Sequence, residues 1–124
     1  MKLGEIREIL DAKVVVGEDH LNMEIEAGAC ADSMSDVLAF VESGSLLLTG
    51  LTNLHVVRTS HILDIAAIVI VRGKHPLPET VRLAEELHIP ILITRYILYE
   101  AVGRLYAKGL VGCVEKIADN SGFS

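Results

Sequence analysis

Tryptophan is absent from this 124-residue sequence, and phenylalanine and tyrosine together supply only 4% of it. A core built on aromatic packing is therefore excluded, and Leu, Ile, Val and Ala are left to fill the interior. Such aliphatic bias suits a parallel sheet buried on both faces. Positive charge is also short. The 11 Lys and Arg against 17 Asp and Glu give a net charge of −6, with no basic stripe to neutralise phosphates, so nucleic-acid binding is not expected. The acids are spread along the chain and read as solubility charge. No apolar run approaches the ~20 residues of a membrane span; the longest, Ile65 to Val71, has seven. The segment Met1–Ile6 carries an acid and lacks the apolar centre of a signal peptide. The two cysteines, Cys30 and Cys113, are far apart and form no CxxC motif. They are expected as small buried thiols in a reducing compartment, which makes the cytoplasm the expected location.

Hydrophobic residues make up 51% of the chain and charged residues 23%, enough to bury a core and unlike a disordered chain. Apolar residues at Leu3, Ile6, Ile9 and Leu10 predict a short helix over 2–10. Lys13 to Gly17 predicts a strand, and Met23 to Ala29, alternating apolar with acidic, predicts a half-exposed one. Asp32 or Ser33 is a candidate cap for a helix carrying Met34, Val37, Leu38 and Val41 inward. From there the chain repeats. Apolar strands begin at Ser45, Ile68 and Ile91, evenly spaced by 23 residues. Each is followed by a polar or glycine-containing turn and a helix, predicted over 53–62, 77–87 and 96–108. Pro78 suits a helix start and Gly109 a helix end. The expected fold class is therefore α/β, a three-layer domain with a mainly parallel sheet of repeated strand–helix units. The first 30 residues are expected to add a helix and a strand pair beside the repeats. Residues 1–117 are read as one domain and 118–124 as a flexible tail.

Ligands of open parallel sheets bind beyond the C-terminal ends of the strands. The repeat marks those ends, at Thr49-Gly50-Leu51-Thr52-Asn53, Arg72-Gly73-Lys74-His75 and Thr94-Arg95-Tyr96. Thr49, Gly50, Thr52, Asn53, Arg72, Gly73, Lys74 and Thr94 are the candidate ligand-binding residues. Hydroxyls, cations, helix N-termini and glycine amides on one sheet edge favour a small anion, a nucleotide or a phosphate. The alternative for Thr49, Thr52 and Asn53 is turn and cap duty alone. No GxGxxG or Walker loop is present.

No catalytic residue is assigned. His20, His55, His61, His75 and His88 lack metal spacing, so neither metal nor cofactor is expected. Asp32 and Asp36, on one predicted helix face, suit a cap plus a first-turn acid better than an acid–base pair. Cys30 precedes the same helix without a neighbouring base in sequence.

Lys2–Ile9, Val14–Gly17, Ala31–Leu38, Leu46–Thr49, Arg72–Pro76 and Ala84–Pro90 together resemble the DRTGG domain family over residues 1–110. Such domains are similar to the N-terminal domain of HPr kinase. They occur between CBS domains of some pyrophosphatases, ahead of the catalytic domain in some phosphotransacetylases, and alone, in some cases beside iron-hydrogenase components. The resemblance implies a non-catalytic regulatory or assembly module that pairs as a homodimer or serves a partner enzyme such as a hydrogenase component. The name-giving residues differ: Leu51-Thr52-Asn53 stands in the Asp-Arg region and Val71-Arg72-Gly73 in place of Thr-Gly-Gly, so only Gly73 carries over. A mean hydropathy of +0.44 adds to the expectation of a homodimer, with the predicted helix from Tyr96 to Lys108 as its contact. The function classes that remain are a regulatory module binding a small anion, a scaffold without ligand and, last, a small enzyme using Asp32, Asp36 or Cys30.

Overall fold

The computed structural model describes residues 1–118. The three apolar runs of the repeat become strands β3 (Ser45–Thr49), β4 (Ala67–Ile70) and β5 (Ile91–Ile93), each wholly buried. Each is followed by a helix: α3 (Leu54–Ile62), α4 (Pro78–Leu87) and α5 (Leu98–Ala107). Ahead of them lie α1 (Leu3–Ile9), β1 (Lys13–Val16), β2 (Ala27–Cys30) and α2 (Met34–Phe40). The strands form one five-stranded sheet in the order β1-β5-β4-β3-β2. All neighbours are parallel except β1, which runs antiparallel to β5 with a bulge between Val14 and Val16.

Helices cover both faces. Val37 of α2, Val56 and Val57 of α3 and Ala84 of α4 pack with Leu47, Ile68, Ile70 and Ile91. Leu3 and Ile6 of α1 and Ala101 and Leu105 of α5 pack with Leu46, Leu48, Val69 and Leu92 on the other face. Alternate residues of each strand thus feed opposite layers, as the pleat requires. This is the expected α/β class with a mainly parallel sheet. No helix among the described residues is long and apolar enough to cross a membrane.

Local chemistry sets the boundaries. Asn53 caps α3 by accepting from the His55 amide at 3.0 Å, and Pro78 occupies the first turn of α4, where its missing N–H costs nothing. Gly17 turns the chain after β1 with φ +93; a Cβ there would sit 2.8 Å from the Pro90 side chain. Gly109 follows α5 with φ +106.

Four expectations are corrected. The early strand pair is split, with β1 at one edge of the sheet and β2 at the other, because β1 completes β5 and β2 completes β3. Of Met23–Ala29, only the end joins the sheet. Met23–Ile25 lies instead against the N-terminus, with Leu3 N donating to Met23 O at 3.0 Å and Ile25 N to Met1 O at 2.7 Å. Leu38 is 56% exposed, because α2 sits at the sheet margin and has only Val37 fully buried. Both cysteines are free, and Cys30 is exposed while Cys113 is half-buried. Of the tail predicted over 118–124, residues 119–124 lie outside the described residues.

Candidate ligand-binding site

The C-terminal ends of β3, β4 and β5 do share one edge, and the eight candidate residues lie along it. The way the chain leaves this edge singles out one stretch. After β4 it passes to α4 on one face, and after β5 to α5 on the other. Such a change of face is where open α/β sheets place their ligand crevices. The β4–α4 loop, Arg72 to Pro76, stands at that change. Arg72 and Gly73 both take left-handed backbone angles, φ +65 and +69. Their amides donate across the gap to Tyr96 O and Thr94 O, each at 2.9 Å. The loop is thereby tied to the end of β5, and its side chains project outward: Arg72, Lys74 and His75 are all exposed.

On one side the loop meets β3. The Gly50 position is so tight that a Cβ there would lie 2.5 Å from an Arg72 guanidinium nitrogen and 3.3 Å from an Asp32 carboxylate oxygen. Lys74 Nζ donates to Gly50 O at 3.3 Å. Asp32 Oδ1 accepts from the Gly50 amide at 2.6 Å and from Thr49 Oγ1 at 3.4 Å. On the other side the loop meets the α1–β1 turn across a cleft of about 460 Å³ lined by Asp11, Lys13, Gly73, His75, Thr94 and Arg95.

Each predicted residue can now be placed. Thr49 is buried, and its hydroxyl also accepts from Leu51 N at 3.1 Å, closing the turn. Thr52 supplies a carbonyl that accepts from Thr80 Oγ1 and from Leu77 N, which holds the start of α4. Asn53 is the α3 cap. Thr94 is buried, and its hydroxyl donates to Leu10 O at 2.7 Å and accepts from Tyr96 N. Arg72 and Lys74 are exposed and form no ion pair among the described residues, with Lys74 Nζ donating to Gly50 O. The expectation that glycine amides are left for a ligand is corrected, because the Gly50 amide is held by Asp32 and the Gly73 amide by Thr94.

Sequence reasoning left four residues out of its ligand-binding set, although it had marked Arg95 in the loop after β5. Asp32 is not the helix cap: Ser33 caps α2, accepting from Asp36 N. Asp32 stands outside the helix and reaches sideways to β3. Asp11 and Lys13 enter because β1 pairs with the last strand, a long-range fact with no local signal.

Among the described residues, no carboxylate lies within ion-pairing distance of Arg72, Lys74, Lys13 or Arg95. Unpaired cations around a cleft can neutralise an anion without breaking a prior bridge. No group of three His, Cys, Asp or Glu side chains among the described residues is placed to hold a metal. The Cys30 thiol, exposed at one side but partly desolvated by its surroundings, is pushed up from its ordinary pKa by that partial burial and then by the Asp32 charge, the opposite of an activated nucleophile.

The chain is thus an open-sheet α/β domain with exposed cations at its strand ends. Residues 5–107 match the DRTGG domain, and the chain belongs to that family. It is also similar in structure to the CBS and DRTGG domains of the regulatory region of Clostridium perfringens pyrophosphatase, determined in complex with the activator diadenosine tetraphosphate. The similarity covers 96% of this chain at 19% sequence identity and a TM-score of 0.68, and spans 51% of that chain. At that identity the likeness establishes the fold. No curated protein matches the chain.

Proposed function

We propose that this DRTGG domain is a non-catalytic regulatory module that binds a small phosphorylated anion, a nucleotide or phosphate, at the C-terminal edge of β3, β4 and β5. The observation that carries this reading is the β4–α4 loop. It stands where the chain changes faces and presents Arg72 and Lys74 without ionic partners beside a cleft that adds Lys13, His75 and Arg95. The pyrophosphatase regulatory region supports the ligand class, since its activator is a nucleotide polyphosphate. Thermal-shift and calorimetric titration with ATP, AMP, pyrophosphate and phosphate tests the reading. A ligand at 100 times its Kd adds about 2.7 kcal/mol of stability. Arg72→Glu and Lys74→Glu leave the unliganded melting temperature in place, since both side chains are exposed, and abolish the ligand-induced rise. A rise that survives both reversals removes these residues from the site.

The module works as a homodimer in this reading. Tyr99 is 86% and Tyr106 64% exposed on α5. An apolar groove runs beside Tyr106 along β2, lined by Gly28, Val102, Leu110 and Val111. Such a surface favours a covering partner, and closed two-fold pairing is the commonest solution. Light scattering at micromolar concentration decides it: a mass near 13.4 kDa rules the dimer out. A ligand-free scaffold for a partner enzyme is the reading that survives if no anion binds.

A further inference from the structure

The residue that holds the Gly50 amide is itself an anion. Gly50 is buried at the end of β3, so its N–H must have a partner. Asp32 provides one at 2.6 Å, with Thr49 Oγ1 donating to the same oxygen. Among the described residues the other carboxylate oxygen, Oδ2, accepts no hydrogen bond. Arg72 and Lys74 both reach Gly50, yet neither comes within ion-pairing distance of Asp32. A carboxylate therefore sits among the site's cations and takes its main-chain donor without forming an ion pair with them. A phosphate oxygen suits the same arrangement of N–H, hydroxyl and guanidinium. One N–H cannot serve two like-charged acceptors at full strength, so an arriving anion and Asp32 compete.

Asp32 is also badly placed to leave without consequence. It directly precedes Ser33, the cap of α2, and the cap bond from Asp36 N is long at 3.4 Å. The seven-residue helix has only Val37 fully buried, and its Leu38 and Phe40 are exposed. Besides the Asp32 tie, its N-terminal end is held by the Ala31 amide on Leu48 O at 3.1 Å and by Met34 packed against the core.

We infer that Asp32 is an internal stand-in for the ligand's anionic group, displaced when a phosphate takes the Gly50 amide, so that occupancy of the site releases the N-terminal end of α2. The inference rests on the anion-site reading and adds its regulation: a built-in competitor sets the affinity, and α2 reports occupancy.

Calorimetry with inorganic pyrophosphate on the full chain, paired with hydrogen exchange, tests it. Asp32→Ala removes the competitor, and Asp32→Asn keeps an acceptor for the Gly50 amide while removing the charge. Both variants bind pyrophosphate about tenfold or more tighter than the parent, the scale of one lost charge-assisted hydrogen bond. In the parent, pyrophosphate speeds exchange at the α2 amides. In Asp32→Ala those amides already exchange fast and pyrophosphate changes nothing. If both variants bind no tighter than the parent while Arg72→Glu abolishes binding, the site stands and the stand-in role is overturned. If no protein binds, Asp32→Ala included, the site reading falls and the inference with it.

Discussion

β3 and β2 are neighbours in one sheet, parallel and in register, yet they are built differently. Every residue of β3 is buried, and so is every residue of β4 and β5. None of the four residues of β2 is fully buried. Its sequence is Ala-Gly-Ala-Cys, where β3 has three consecutive leucines. Among the described residues the outer side of β2 is closed by the segment after α5, with Gly28 N donating to Val111 O at 2.8 Å and Cys113 N to Gly28 O at 2.9 Å. Small residues on β2 let this strap and the Leu110 side chain approach, 3.3 Å from where a Gly28 Cβ would be. The centre of the sheet thus carries stability through burial, and the margin carries the parts that can shift: α2, Asp32 and the strap.

The strongest way to test that division is at the centre. Ile70→Asp, fully buried at the end of β4, places an unpaired charge between two helical layers. Loss of cooperative unfolding by calorimetry is expected, since a buried charge without a partner costs more than a domain's whole margin. A soluble variant with a sharp transition contradicts the central role of β4.

Leu110→Ala then tests how far the margin depends on its strap. Leu110 is buried against the α1/α5 face. Its truncation costs about 2–3 kcal/mol in chemical denaturation and speeds exchange at Gly28 more than at Leu47. Equal change at both amides means that centre and margin unfold as one.

Gly17→Ala acts on the opposite edge, where φ is +93 and a Cβ meets Pro90 at 2.8 Å. A loss of about 1–2 kcal/mol is expected from the strained backbone and the clash. A neutral result shows that β1 shifts freely along β5.

The smallest effect is at Cys30. Burial first, and then Asp32, raises its pKa, so the folded protein holds the proton to higher pH than the unfolded chain. Stability therefore falls as pH rises from the ordinary thiol range through the raised value. In a Cys113→Ser background, iodoacetamide modification of Cys30 follows a pH profile displaced upward from a free thiol, and Asp32→Asn moves it part of the way back. A profile at the ordinary thiol value contradicts the assigned environment.

The same contrast explains what the sequence revealed. The repeats were legible because a strand buried on both faces must be continuously apolar, and the 23-residue spacing leaves room for one helix only. Their boundaries followed from Asn53, Pro78 and Gly109, residues whose chemistry is local. At the margin the elements were legible but their pairing was not. Nothing in Lys13–Val16 says that it pairs antiparallel with a strand far along the chain, and Met23–Ile25 has a strand's alternation but bonds to residues 1–3. At the site, the strand-end rule located the loops. It could not tell a turn-closing threonine such as Thr94 from a ligand contact, because both need a hydroxyl at a strand end. Asp32 stood beside Ser33 as a candidate cap, and Ser33 took that place, because the sequence pattern of a cap and of a cross-strand acceptor is the same.

The hydrogen bond from Thr94 to Leu10 joins residues 84 apart in the chain, whereas β3, β4 and β5 pair with neighbours one repeat away. Closing a long loop forfeits more chain entropy than closing a short one, and non-local pairing slows folding. The repeats should therefore assemble first and β1 should dock last, which makes the cleft between Asp11 and Arg95 the final part of the molecule to exist. Pulsed hydrogen exchange during refolding should protect Leu47 and Val69 before Val14, and the reverse order would contradict this sequence of events. Binding at that cleft would then act on a late step of folding: a ligand present during refolding would slow unfolding without hastening the assembly of the repeats.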